Sequence, residues 1–527
     1  MQPHRLSYAA THRFSPVVLD HLAGDPLVRD LIPRSPDLAG LRAAASERVF
    51  DPAARAVLCD ALERQYEGVE VGDAVRANLT LLRRPDALTV TTGHQCCLFT
   101  GPLYVPFKAL NTIRLARTLT TDLGRPVVPV FWMASEDHDR AEIDHAWLNG
   151  EKVEWPGSPG GPVGRMRLEG IGTAVAQAME ALGQAPHADA LRELLRACYA
   201  PERGLADATR RLFHALFGRL GLVVLDGDDP ALKRLFAPHL RRELLEGIAR
   251  PAVERANAKL EGRYPAQVHA RDINLFHLRP GHRARIALED GRYHVHEGGP
   301  GSTREEAAAA VEERPEDFSP NVVLRPVYQE VVLPNIAYIG GGGELAYWAQ
   351  LRGVFEAFGA PMPVVLLRTS AAFLSAKQSG QWAAAGLAVE DLFAPLDALK
   401  ARVAAGMASF PTDTGTEHER LNALYDGLLE RAKAADPTLA GTVEAMRKKA
   451  LDGLDRIGQG LVRAAKREQE TALQRLDRVH EALFPDGGLQ ERRDNILPLL
   501  ALHGTGFLDD LLESLDPLDP RFTLLVQ

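Results

Sequence analysis

Cysteine is scarce: the four in 527 residues, Cys59, Cys96, Cys97 and Cys198, are irregularly spaced and form no C-x-x-C pair. That excludes a disulfide framework and fits a reducing compartment. Long apolar runs are missing too. The first thirty residues carry His4, Arg5, His12, Arg13, Asp20 and Asp25, so no signal-peptide core forms there, and nothing downstream reads as a membrane span. Nor does one sign of charge dominate. A net charge of −9 gives no general attraction for nucleic acid, and basic clusters such as Arg447, Lys448 and Lys449 have acidic neighbours, as solvated helix faces do. The expectation is a soluble cytoplasmic protein with neither nucleic acid nor membrane as partner.

What is present is enough hydrophobic sequence, 46%, to bury a core in each of two or three domains. The run Leu88-Thr89-Val90-Thr91-Thr92 reads as a strand, followed by a Gly-containing turn and a helix from near Pro106. A second buried strand, Val127 to Met133, follows. Strand, helix, strand implies a parallel sheet and an α/β fold. Further core strands are expected at Gly221–Asp226, at Val322-Val323-Leu324 and at Pro363–Leu367. The Gly/Pro-rich segment from Trp155 to Pro162, which includes Ser158 and Pro159, marks one insertion, and short strand-like runs at 284–288 and 292–296 mark another. Apolar or small residues then recur from Leu439 through Met446, Leu454, Ile457 and Ala465 to Leu483 with a period near 3.5, interrupted at Glu468. This predicts a long antiparallel or dimeric coiled coil. The resulting division is 1–146 and 205–266 with 317–372 as core, 147–204 and 267–316 as insertions, 373–490 as coiled coil, and 491–527 packing on the core, with a closing helix from Gly506 to Leu515.

Three segments carry candidate chemistry. Gly93, His94, Gln95, Gly101 and Tyr104 lie between the first strand and its helix, where a parallel sheet binds ligands. The two glycines let backbone approach a phosphate or carboxylate, and Lys108, in the helix's first turn, adds charge. Glu136, Asp137, His138 and Asp139 follow the second strand, with Glu142, Asp144 and His145 behind them, and offer a general base or ligands for a hard cation. Zinc through His138, His145, Cys96 and Cys97 lacks both H-E-x-x-H and C-x-x-C spacing. The third segment holds Asn321, then Arg325 after an apolar strand, suited to pair with a carboxylate. It continues into four glycines including Gly342 and Gly343, with Glu344 and Tyr347 on the helix that follows.

Together, Leu-Phe-Thr-Gly-Pro-Leu-Tyr, Pro-Val-Phe-Trp-Met-Ala-Ser-Glu-Asp-His-Asp, Ser-Pro-Asn-Val-Val-Leu-Arg-Pro and Gly-Glu-Leu-Ala-Tyr-Trp-Ala-Gln-Leu resemble the BshC family of cysteine ligases over nearly the whole chain. The sequence departs from that pattern at His94, where the family is expected to have Gln, and at Cys96 and Cys97, where it has small residues. The resemblance implies a Rossmann-like core with two connecting insertions and a coiled coil that makes a homodimer. It also implies the last step of bacillithiol synthesis, in which cysteine is added to the amine of glucosaminyl-malate. Such a condensation needs carboxyl activation, so ATP is expected, with Mg2+ alongside. On this view the Gly93 loop holds the activated carboxyl or phosphate and Asp137 or His138 takes the proton from the attacking amine. Arg325 grips the malate carboxylates, and Glu344 or Tyr347 orients the sugar or the cysteine ammonium. The competing classes are a non-catalytic nucleotide-binding dimeric scaffold, and a metal-dependent hydrolase built on Glu136 to Asp139.

Overall fold

A computed structural model describes residues 1–157, 160–296, 298 and 301–527. Ser158 and Pro159 of the Gly/Pro-rich segment lie outside the described residues. The chain forms two compact units, one of residues 5–371 and 491–523, the other of 1–4, 372–490 and 524–527.

At the centre of the larger unit is a five-stranded parallel sheet. Strand β1 (Leu88–His94) leads into helix α1 (Tyr104–Leu123), which returns to strand β2 (Val127–Met133), and β3 (Val223–Asp226) follows the first insertion. Val127–Met133 is buried at every position and Leu88–His94 at all but its last, as expected of strands covered on both faces. Their register runs from Leu88 opposite Val127 to His94 opposite Met133. Gly93 and His94 are therefore the last two rungs of the strand, where the sequence alone suggests a turn. Helix α1 packs Phe107, Leu110, Ile113, Leu115 and Leu119 inward and ends at Gly124, whose φ of 63° suits glycine. It begins two residues earlier than Pro106, which puts Lys108 in its second turn.

Helix α2 (Pro230–Glu246) follows β3, capped by Asp229. The second insertion then contributes an antiparallel sheet of β4 (Leu275–Arg279), β5 (His282–Glu289), β6 (Arg292–Val295) and β7 (Phe318–Pro320), in the order β7-β4-β5-β6. The expected core strand at Val322–Leu324 is absent. Asn321 Oδ1 accepts the backbone N–H of Val323 at 2.9 Å, and Asn321 O accepts that of Arg325 at 2.8 Å, so the chain turns straight into helix α3 (Arg325–Val332). Arg325 thus opens a helix and does not follow a strand. The core resumes with β8 (Asn335–Gly340), helix α4 (Gly342–Trp348) and β9 (Val364–Leu367).

The strand order is β9-β8-β1-β2-β3, all parallel. From β1 the chain fills one side of the sheet and then crosses to fill the other, so the switch point lies between β1 and β8. Leu88, Val90, Leu115, Leu119, Ile336, Ile339, Val364 and Leu366 join in one core cluster beneath it. Residues 491–523 belong to the same unit. Asn495 Nδ2 donates to the carbonyls of Phe99 and Gly101, and helices Leu497–His503 and Phe507–Ser514 follow.

The smaller unit is mainly helical, with strand residues at 2–4, 372–374 and 524–526. Helix α5 (Gly415–Ala435) turns back through a short 3-10 segment into the 29-residue α6 (Ala440–Glu468), and α7 (Glu470–Leu483) continues after a break at Gln469. His418 Nε2 lies 2.8 Å from Asp455, and Arg447 pairs with Asp426 at 2.8 Å, so α5 and α6 run antiparallel. The expected interruption at Glu468 is this break. Among the described residues no helix is long and apolar enough to cross a membrane.

Candidate active site

A cavity of about 740 Å³ opens over the carboxyl ends of β1, β2 and β8. Of the residues singled out from sequence, Gly93, His94, Gln95, Tyr104, Lys108, Glu136, Asp137, His138, Asn321, Arg325, Gly342, Gly343, Glu344 and Tyr347 line it. Gly101 does not. Its φ of 73° and a would-be Cβ 2.7 Å from the Cβ of Cys97 make it a turn glycine behind the site.

The floor of the cavity is a charge pair across the switch point. Buried Lys108 of α1 pairs with Glu344 of α4, and Lys108 Nζ also donates to the Gly93 carbonyl at 3.0 Å. Glu344 accepts the Tyr338 hydroxyl at 2.5 Å and the Gly341 N–H at 2.7 Å. Burial acts to raise the Glu344 pKa, but Lys108, the Gly341 N–H and the Tyr338 hydroxyl together hold it below the ordinary carboxylate value. Next to this pair, His94 Nε2 lies 3.0 Å from the Tyr104 hydroxyl. Burial first, then the Lys108 charge, lowers its pKa to about 4, so the ring is neutral at pH 7.

On the β2 side, Gln95 Nε2 donates to Asp137 Oδ2 at 2.8 Å, and Arg283 Nη1 donates to Asp137 Oδ1 at 3.1 Å. Burial acts to raise the Asp137 pKa. The His138 hydrogen bond and the Arg283 charge outweigh it and hold the group at about 2. His138 is exposed, with Nδ1 3.4 Å from Asp137 Oδ1 and 3.0 Å from Arg283 Nη1, so the tautomer decides which contact is a hydrogen bond. Arg283 itself is fixed by Ser319, by the Pro320 carbonyl and by stacking 3.9 Å over Phe276. Glu136 points inward to Lys233 at 2.8 Å, and Lys233 also meets Asp228 at 2.6 Å, which Arg165 grips with two bonds. Asp144 and His145 pair with each other and do not reach the cavity. Among the described residues no three His, Cys, Asp or Glu side chains are grouped to hold a metal ion.

On the β8 side, Arg325 Nη1 donates to Gln329 Oε1 at 3.3 Å, Nη2 reaches the Tyr347 hydroxyl at 3.5 Å, and the guanidinium lies 5.5 Å over the Tyr338 ring. Among the described residues no carboxylate pairs with it. Sequence reasoning missed several further basic residues of the wall. Arg283 and Arg285 alternate along β5, and Arg271 precedes β4. Arg368 follows β9, paired with buried Glu491 at 2.7 Å, and Arg492 comes from the C-terminal segment. Only Arg368 had a local signal, as a polar residue at the carboxyl end of a buried strand. Basic lining residues outnumber acidic ones seven to five, which suits an anionic ligand.

Sheet order, switch-point crevice and helical unit define a Rossmann-like domain joined to a coiled coil. A family model described as the BshC N-terminal Rossmann-like domain of bacillithiol biosynthesis matches residues 1–369, and one for the BshC C-terminal coiled-coil domain matches 371–527. Proteins named "Putative cysteine ligase BshC" are similar throughout. The one from Flavobacterium johnsoniae is 35% identical over 523 residues, 99% of each chain. Another, from Salinibacter ruber, is 37% identical over 530 residues, 97% of this chain and 96% of its own. The chain belongs to the BshC family of bacillithiol biosynthesis.

The Lys108 and Glu344 charges depend on each other. Lys108→Met is expected to destabilise the protein by about 1–3 kcal/mol by leaving the half-buried Glu344 carboxylate unpaired, and adding Glu344→Leu should recover part of that loss. Thermal unfolding of the two single variants and the double variant checks this. Strictly additive losses would show that the two charges are independent.

Proposed function

We propose that this chain is a ligase that forms an amide between the carboxyl group of cysteine and the amine of glucosaminyl-malate, the last step of bacillithiol synthesis in the cytoplasm. The observation that carries the reading is Arg325, a guanidinium on the cavity wall whose hydrogen-bond partners among the described residues are neutral, facing the space over the switch point of a family linked to this pathway. It supplies the fork geometry that a malate carboxylate needs.

A carboxylate is a poor electrophile, and ATP with Mg2+ is the proposed activating reagent. Arg368 is taken up by Glu491, so the residues fitted to phosphate are Arg492 and the backbone around Gly93, Gly342 and Gly343, and ATP bound there would supply a leaving group on the cysteine carboxyl. The chain's own residues do the rest. Asp137, held near pKa 2, is too weak a base to take a proton at pH 7 and instead orients the neighbouring imidazole. In the tautomer with its proton on Nδ1 toward Asp137, His138 accepts the amine's proton at Nε2. Glu344 is already engaged by Lys108, Tyr338 and the Gly341 N–H, and the Asn321 amide by Asn274 and the Val323 N–H, so orienting the sugar falls to Tyr347.

The helical unit supports a homodimer. Met446 and Ile457 on α6 are each 60% exposed and Leu424 on α5 is 59% exposed, an apolar stripe the hairpin does not cover by itself. Sedimentation of the purified protein should give a dimer, and Met446→Glu with Ile457→Glu should give a monomer. A monomeric wild type would end this part of the reading.

Thiol profiling by mass spectrometry tests the ligase. A strain lacking the gene should accumulate glucosaminyl-malate without bacillithiol. The intact gene should restore the thiol, and His138→Ala should lower its rate of formation at least about 100-fold. Unchanged thiols in the deletion strain would refute the assignment.

A further inference from the structure

Behind Arg325 runs a chain of hydrogen bonds that the proposed chemistry leaves unused. Arg325 Nη1 donates to Gln329 Oε1 at 3.3 Å, and Gln329 Nε2 donates to Glu330 Oε1 at 3.0 Å. Asn335 Nδ2, at the start of β8, donates to the same Glu330 oxygen at 2.8 Å. The Glu330 oxygen fixes which way the Asn335 amide faces, and its Oδ1 accepts the Thr91 hydroxyl at 2.8 Å and the Thr89 hydroxyl at 3.3 Å. Gln329 is wholly buried and Glu330 is 1% exposed. A carboxyl group is thus sealed in the core one amide away from the Arg325 guanidinium.

We propose that Glu330 is a positioning residue that sets how strongly Arg325 holds an anionic group of the substrate, through the Gln329 amide. The inference rests on the reading of Arg325 as the carboxylate holder. One oxygen of Glu330, Oε1, receives both amide donors, while Oε2 is buried with no hydrogen-bond partner among the described residues. A proton can therefore sit on Oε2 without disturbing either amide. Gaining it leaves the aim of Gln329 and Arg325 unchanged but turns the charge-assisted bond from Gln329 Nε2 into a neutral one, so the amide is less polarised and its Oε1 competes less with a bound carboxylate for the guanidinium.

The surroundings put that proton within physiological reach. Burial raises the Glu330 pKa to about 7, against the opposing pull of Arg48, Asn335, Gln329 and Arg325. The charges acting on it are the guanidiniums of Arg48, which donates to the Glu330 carbonyl at 2.6 Å, and of Arg325 on its own helix. Helix α2 meets α3 through Phe236 against Tyr328, 4.8 Å apart, and so brings an aromatic contact there. Arg325 itself is faced by Tyr338, Tyr347 and Glu344, and Glu344 stays ionised through its pairing with Lys108. His94, with its pKa near 4, is silent above pH 6.

The sign follows. Below pH 7 Glu330 is neutral and Arg325 binds a carboxylate more tightly. Above it the buried carboxylate polarises the Gln329 amide, whose Oε1 competes more strongly, and binding weakens.

The probe is L-malate, whose carboxyls are both ionised at pH 6 and above, titrated calorimetrically into the full-length protein from pH 6 to 8.5. Affinity is expected to fall by about threefold to tenfold across this range. Glu330→Gln, which keeps the acceptor oxygen and lacks the charge, should hold the low-pH affinity throughout. Gln329→Met, which keeps Glu330 and cuts the bridge, should also flatten the profile, and guards against a Glu330 variant that fails to fold. If malate binds through Arg325, as shown by its loss in Arg325→Met, and both variants keep the wild-type pH profile, the relay is refuted while the ligase reading stands. If malate fails to bind, or binds Arg325→Met equally well, the reading of Arg325 falls and the relay with it.

Discussion

The pair of buried Lys108 with half-buried Glu344 is the interaction on which the site depends. It joins the helix after β1 to the helix after β8, the two elements that flank the switch point, where the strand order reverses. Two charges withdrawn from water in this way are tolerated because the remaining hydrogen-bonding capacity is used, by the Gly93 carbonyl on one side and by Tyr338 and the Gly341 N–H on the other. The pair therefore fixes the floor of the cavity and neutralises itself. Selectivity is left to the walls.

Those walls are built from parts of the chain that the sheet brings together. Asp137 and His138 sit at the end of β2 and are steadied by Arg283, which arrives from the second insertion and is clamped over Phe276. Arg325 arrives on a helix opened by the Asn321 turn, and Arg368 is held by Glu491 from the C-terminal segment. Lys233 links the carboxylate of Glu136 with Asp228, and through it with Arg165 of the first insertion. Each insertion thus supplies an arginine that meets a carboxylate at or beside the carboxyl end of a core strand, and the second insertion, through Arg271, Arg283 and Arg285, also supplies part of the polar wall of the cavity.

The parallel core was legible because β1 and β2 are short, β-branched or aromatic and buried nearly throughout, a pattern that depends on local sequence alone. Their ends were not. Gly93 and His94 remain strand because β2 runs alongside as far as Met133, a partner set by tertiary pairing. Val322 to Leu324 has strand-like composition, but the preceding Asn321 turns the backbone on itself before a strand can pair. Of the site, the residues close to strand ends were found from their position. Arg283, Arg285 and Arg492 were not, since nothing local distinguishes an arginine that points into a cavity from one in solvent. The break at Gln469 was visible as an interruption in apolar spacing, whereas the antiparallel pairing of α5 with α6 needed the contacts of His418 and Arg447.

The most direct test of the account is a crystal structure of the protein with glucosaminyl-malate. The ligand should lie over the switch point between Gly93 and Gly342, with a malate carboxylate on the Arg325 guanidinium and the sugar amine within reach of His138. A ligand bound elsewhere, with Arg325 still turned only to Gln329 and Tyr347, would contradict it.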